Sequence, residues 1–257
     1  MGHNHSTSPI GKCPALVLAG GFGERLRESY DRGPKVLAPV AGRSFLEYLL
    51  VWLRNSGIKR VVLCIGYKGT QLREWLGDGH EFGLNVDYSS EDTPLGTAGA
   101  LKHAERLVNS DLFFAMNGDS FLDVNLCAMY QHHISHSAFA TLAVTPQFDS
   151  GRYGSVQLNS KGEIVGFTEK AAVQGGERRA VSSILINGGI YLCQRRFLEL
   201  IPLDKAVSIE KDVFPRLTDG RLHGFMSNSY FIDIGVPADY KRAQSELPER
   251  IRHDHPC

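Results

Sequence analysis

The sequence predicts an α/β protein built on a mixed, mainly parallel sheet flanked by helices. Three observations carry that reading. Apolar, strand-like runs alternate with helical patterns through the first half, as parallel strands with crossover helices require. The second half turns to strands with few helices, including a hairpin over 155–158 and 163–167 turned at Asn159-Ser160-Lys161-Gly162. The chain has 257 residues, 42% of them hydrophobic, enough to bury a sizeable core.

Each element has a local reason. Residues 15–19 are an apolar run followed at once by glycines, a strand that ends in a turn. Ser44-Phe45-Leu46-Glu47 is a capping box, and Phe45, Leu49, Trp52 and Leu53 recur at helical spacing until Gly57. A strand follows at 60–65. Thr70 opens a short helix with Leu72, Trp75 and Leu76 on its inner face, stopped by Gly77. Strands are predicted at 84–88 and 112–116, with a helix at 98–108 between them. Further strands are predicted at 138–144, 184–192 and 222–226, helices at 196–200 and 208–219, and a last helix started by Pro237. There is no internal repeat or low-complexity tract. The organisation expected is a disordered segment over 1–13, one domain over 14–245 and a tail over 246–257.

The bulk numbers exclude some functions. Lys plus Arg and Asp plus Glu number 28 each, so the net charge is zero, which argues against gripping nucleic acid. No run approaches the roughly 18 apolar residues that cross a membrane. The five cysteines are scattered without a CxxC. Cys64 and Cys193 lie in apolar runs and are expected as buried free thiols of a cytoplasmic protein.

The chemistry is concentrated in a few short segments. Leu18-Ala19-Gly20-Gly21-Phe22-Gly23-Glu24-Arg25-Leu26 follows the first strand, with Lys35 after Pro34. Unblocked N–H groups in such a turn form an anion-binding concavity, and Arg25 and Lys35 add charge, so the segment reads as a nucleoside triphosphate site. Leu95-Gly96-Thr97-Ala98-Gly99 opens a helix. It serves either to present N–H groups to a ligand or as an ordinary start capped by Thr97. Asn117-Gly118-Asp119 ends one strand and Asp233 another, where carboxylates suit a divalent cation such as Mg²⁺; each alone is equally a turn aspartate. Glu169-Lys170 could meet a sugar hydroxyl and a phosphate, or be an exposed pair. Asn187-Gly188-Gly189 interrupts an apolar strand, and Gly154 is a similar position, as where backbone or ligand passes close. His132, His133 and His136 lie on a polar helical stretch and are expected at the surface, not as a ligand set.

Together these segments resemble the sugar-1-phosphate nucleotidyltransferases, over about residues 15–240. The order of motifs is that family's: Leu-Ala-Gly-Gly-x-Gly-x-Arg-Leu, Pro-Lys, Pro-Leu-Gly-Thr-Ala-Gly, Asn-Gly-Asp, Phe-x-Glu-Lys, Asn-x-Gly-Ile-Tyr and Asp-Ile-Gly-x-Pro. The resemblance implies a Rossmann-like fold and a reaction joining an NTP to a sugar 1-phosphate, with Mg²⁺ as cofactor and a homodimer as a possible assembly. It implies that Leu18, Gly20, Gly21, Gly23 and Arg25 hold the triphosphate, with Lys35 near the reacting phosphates. Glu91, Leu95, Gly96 and Thr97 would line the base and ribose pocket. Asp119 and Asp233 would hold Mg²⁺; Gly154, Glu169, Asn187 and Gly188 would bind the sugar, and Lys170 its phosphate. Glu24 departs from the Thr or Ser common there. Within the family the chain resembles the bacterial D-glycero-α-D-manno-heptose 1-phosphate guanylyltransferases, which implies GTP as donor. Mannose- or glucose-1-phosphate enzymes, a non-catalytic sensor on the same scaffold and a dinucleotide-dependent oxidoreductase are the alternatives, the last disfavoured by the missing GxGxxG.

Overall fold

In the computed structural model, which describes residues 9–21, 30, 33–66, 68–148, 153–168 and 183–251, the apolar run Ala15–Leu18 forms strand β1. The short strands β2 (Pro39–Val40) and β3 (Arg43–Ser44) make a hairpin leading into helix α1 (Phe45–Asn55). The Ser44 hydroxyl accepts the Glu47 N–H at 3.2 Å, satisfying one of the four orphan donors of the helix start. Strand β4 (Arg60–Ile65), helix α2 (Gly69–Leu76), strand β5 (Asn85–Ser90), helix α3 (Gly96–His103) and strand β6 (Leu112–Asn117) then alternate. After them come β7 (Ser120–Leu122), α4 (Leu126–Ser135), β8 (Ala140–Phe148), β9 (Ser155–Leu158), β10 (Ile164–Thr168), β11 (Ser183–Gln194), β12 (Leu222–Met226), β13 (Phe231–Asp233) and α5 (Pro237–Arg250).

The main sheet has nine strands in the order β10-β9-β11-β6-β1-β4-β5, with β8 also paired to β11 and β12 to β8. The strands β6, β1, β4 and β5 are mutually parallel, and β11 joins β6 antiparallel. Alternation along each strand divides the core into two faces. Val17, Val61, Leu63, Phe114 and Met116 pack against α1, α2, α4 and α5; Leu16, Val62, Cys64, Phe113 and Ala115 pack against α3 and the turns after β11. All of the parallel strands end on one edge, where α/β sheets place ligands.

Several predicted elements differ. The helix expected at 98–108 begins at Gly96 and stops at His103, with a 3₁₀ turn at Glu105–Leu107. The segments at 196–200 and 208–219 are 3₁₀ and π turns, Arg195–Leu200, Ile209–Val213 and Phe214–Leu217; Pro215 has no N–H to donate and interrupts any regular ladder there. Within the segment assigned to a disordered terminus, Pro9–Lys12 form a 3₁₀ turn with Ile10 wholly buried. Helix α5 runs through the boundary expected at 245. His133 is buried on α4, its Nδ1 2.8 Å from the Thr141 hydroxyl, and not at the surface. Cys13, Cys64 and Cys193 are buried free thiols. No helix among the described residues is long and apolar enough to cross a membrane.

Candidate active site

A cleft of about 570 Å³ opens at the carboxyl edge of the parallel strands. Leu18, Ala19, Gly20 and Gly21 form its floor at the end of β1, and Cys64, Glu91 and Asn117 line it from the ends of β4, β5 and β6. Backbone hydrogen bonds weld these strand ends together: Ala19 N–H to Cys64 C=O at 2.8 Å, Gly118 N–H to Leu18 C=O at 2.9 Å and Glu91 N–H to Ile65 C=O at 2.9 Å.

Lys35 reaches into this edge from a 3₁₀ turn started by Pro34. Its ammonium lies 2.6 Å from Asp119 Oδ2 and 3.9 Å from Asp233 Oδ1. The two aspartates are brought together by the pairing of β7 with β13 and by the Ile234 N–H, which donates to the Asp119 C=O at 3.0 Å. Asp233 Oδ1 also accepts the Gly235 N–H at 2.7 Å. A side chain at Gly235 would run into the Lys35 ammonium, and one at Gly118 would sit 2.6 Å from the Leu18 carbonyl. Two hard carboxylates from distant strands thus converge on one cation, which marks the place where positive charge is favoured.

The opposite wall belongs to Glu91 and α3. Glu91 Oε2 accepts the Leu95 N–H at 3.4 Å, and its Oε1 would be 3.2 Å from any Cβ placed on Gly20. Burial raises the Glu91 pKa; the Leu95 N–H and His103 act in the other direction. Leu95 itself is buried as the first residue before α3, with no side-chain cap. Thr97 is therefore not the capping residue that the simpler reading of this turn supplied. Its hydroxyl accepts the Ile209 N–H at 2.7 Å and donates to Glu210 Oε2 at 3.1 Å. Gly96 has φ +70°, and a Cβ there would lie 2.6 Å from the Val207 carbonyl, so the turn both needs glycine's freedom and packs against the chain before Ile209.

On the side facing the hairpin, Asn187 has its side chain engaged internally: its Oδ1 accepts the Gly189 N–H at 2.7 Å and its Nδ2 donates to the Tyr191 hydroxyl at 2.9 Å. Gly188 is buried where a Cβ would meet Leu122 at 2.5 Å, and Gly189 has φ +75° with Asn117 and Ser120 beside it. The backbone that passes close is thus the protein's own. Gly154 precedes β9 and is half-buried. Gly23, Arg25, Glu169 and Lys170 lie outside the described residues. Sequence reasoning missed Glu210, which lines the cleft and ties Thr97 to Tyr191 through a 3.2 Å bond from the tyrosine hydroxyl to its Oε1. No motif announces it; its neighbours Ser208 and Ile209 looked like the start of an ordinary helix.

A family model described as nucleotidyl transferase matches residues 14–250. A D-glycero-alpha-D-manno-heptose 1-phosphate guanylyltransferase of Aneurinibacillus thermoaerophilus is 36% identical over 238 residues, covering 92% of this chain and 99% of that protein. A mannose-1-phosphate guanylyltransferase of Mycobacterium tuberculosis is 33% identical over 240 residues, 92% of this chain and 65% of that protein. A crystal structure of HddC from Yersinia pseudotuberculosis complexed with GMP-PN superposes with TM-score 0.79 at 27% identity, covering 91% of this chain and 99% of that one.

Proposed function

The chain belongs to the nucleotidyl transferase family, and from that premise we propose that it transfers a guanylyl group from GTP to D-glycero-α-D-manno-heptose 1-phosphate, releasing pyrophosphate. The cluster of Lys35 between Asp119 and Asp233 at the mouth of a glycine-floored cleft carries the reaction class. The similarity to a heptose 1-phosphate guanylyltransferase along nearly its full length supports the substrate pair, as does the likeness to HddC with its bound guanine nucleotide analogue. The product suits surface polysaccharide synthesis.

An oxygen of the sugar phosphate attacks the α-phosphorus of GTP while the bond to the β-phosphate oxygen breaks. The attacking group is already an anion, so no general base is needed, and catalysis consists of orientation and charge neutralisation. Gly20 and Gly21, with Gly23, present backbone N–H groups to the phosphates. Lys35 and Arg25 neutralise charge on the departing pyrophosphate. Glu91 and Thr97 face the nucleoside. Lys170 meets the acceptor phosphate, and Glu169, Asn187, Gly154 and Gly188 shape its sugar pocket. Asp119 and Asp233 fit Mg²⁺ as hard oxygen donors that already share one cation, and they would hold the ion. Held there, the ion would supply charge neutralisation at the reacting phosphates.

Pyrophosphate release with Mg²⁺ tests this. GTP paired with the heptose phosphate should release it far faster than GTP with mannose 1-phosphate or UTP with either sugar. A preference for mannose 1-phosphate would transfer the assignment to the second group of relatives. Asp119→Asn should lower turnover on the order of 10²-fold with an unchanged melting temperature. Comparable turnover in that variant would remove the metal role of Asp119.

A further inference from the structure

Helix α4 carries His132 in its last turn and is capped by His136 four residues on, and β12 brings His223 against the pair. One ring nitrogen of each lies within 4.8 Å of those of the other two. The rings are 4.2 Å (His132–His136), 5.0 Å (His136–His223) and 6.2 Å (His132–His223) apart between centroids. His132 Nε2 and His223 Nδ1 are both buried with no hydrogen-bond partner. Folded proteins rarely leave such atoms unsatisfied, and these two belong to neighbouring rings of the cluster. His136 is exposed, and its Nδ1 lies 2.9 Å from the His132 carbonyl. A proton on Nδ1 donated to that carbonyl leaves the Nε2 lone pair free, the same backbone contact that orients histidines bound to metals. Burial also favours the uncharged form of His132 and His223, the form that ligates. Glu163, whose backbone bridges to that of His223, contributes negative charge beside it.

The cluster is remote from the cleft. Leu222 at the start of β12 aligns with Ala140, and through Cys193 with Phe113 near the start of β6, whereas the cleft lies past the end of β6 at Asn117. We propose that His132, His136 and His223 form a second metal site, which takes a borderline divalent ion of the Zn²⁺ type with water in its fourth position and staples α4 to β12. Three imidazoles suit Zn²⁺, Ni²⁺ or Co²⁺, whereas Mg²⁺ prefers oxygen donors. Nitrogens around tetrahedral Zn²⁺ sit about 3.3 Å apart, so binding draws the three rings together.

The test uses the full chain, stripped with a chelator and titrated with Zn²⁺ in the absence of nucleotide, reading bound metal and melting temperature. His136→Gln and His223→Gln serve as variants; the first is exposed and leaves the fold intact. His3, His5, His253 and His255 remain in every protein, so they act as an internal control. The wild type should bind one more Zn²⁺ than either variant. Its melting temperature should rise by about 5–10 °C at a hundredfold excess over Kd, a shift that both variants lose. Equal stoichiometry and equal shifts in the wild type and His136→Gln, or no bound Zn²⁺ in the wild type, would overturn the site.

Discussion

At the scale of single side chains, the Glu210 carboxylate joins the two walls of the cleft. Its Oε2 accepts from Thr97 and Ser208, and its Oε1 from Tyr191, whose hydroxyl in turn accepts from Asn187. Thr97, expected to face nucleoside, is therefore one bond from this carboxylate, and Asn187, expected to face sugar, is two bonds from it. Tyr191 is wholly buried, so Tyr191→Phe strands the Asn187 amide and one Glu210 oxygen. Urea denaturation should show a loss of about 1–3 kcal/mol, the usual cost of leaving a buried partner unpaired. Glu91 makes a different prediction. Its folded pKa is raised above the ordinary value of 4.5 by burial, so the native state holds a proton at pH values where the unfolded chain has released it. Stability from this group is present below the unfolded pKa and falls as pH rises through the folded one. Glu91→Gln, whose amide oxygen can still accept from Leu95, should flatten that slope and stabilise the free protein at pH 7 while weakening GTP binding. Denaturation curves between pH 4 and 7, beside KM for GTP, check both halves.

At the scale of elements, the turn into α3 and the interruption of β11 shape the cleft. Gly96 at φ +70° lets α3 start against Val207, whose C=O accepts the Ala98 N–H at 2.9 Å. Gly96→Ala places a methyl into that carbonyl and a side chain in the left-handed region. It should cost about 1–3 kcal/mol in chemical denaturation and raise KM for GTP. In β11 the register with β8 shifts between Asn187 and Tyr191, at the two glycines. That irregularity lets β11 pair with β6 through Ile190–Gln194 and with β8 along most of its length. The glycines were legible as a place of close approach. That Leu122 and Asn117 approach there was not, because those contacts come from strands far along the chain. The helices expected at 196–200 and 208–219 are present as short 3₁₀ and π segments, not as regular α-helix, for a related reason. Their apolar residues do recur, but Phe197, Leu198, Ile209 and Val213 face a core that holds short turns as well as helices.

At the scale of the whole molecule, the cleft gathers residues from Leu18 to Glu210, so binding GTP should oppose unfolding of the sheet as a unit. With Mg²⁺, GTP at a hundredfold excess over Kd should raise the melting temperature by about 5–10 °C, and Lys35→Ala should lose most of that shift. Differential scanning fluorimetry reads it directly. The sequence by itself determined the alternation of strands and helices and the place of the glycine turn. It also marked Lys35, Asp119 and Asp233 as the charged groups to watch. These are local signals, because a strand period, a turn or a strand-end carboxylate is written in adjacent residues. The tertiary structure decided what meets across long separations: Lys35 between two aspartates, Glu210 between Thr97 and Tyr191, and His223 beside His132 and His136. Such meetings depend on strand order and register, which set distances between residues tens to hundreds of positions apart, and no local pattern encodes them.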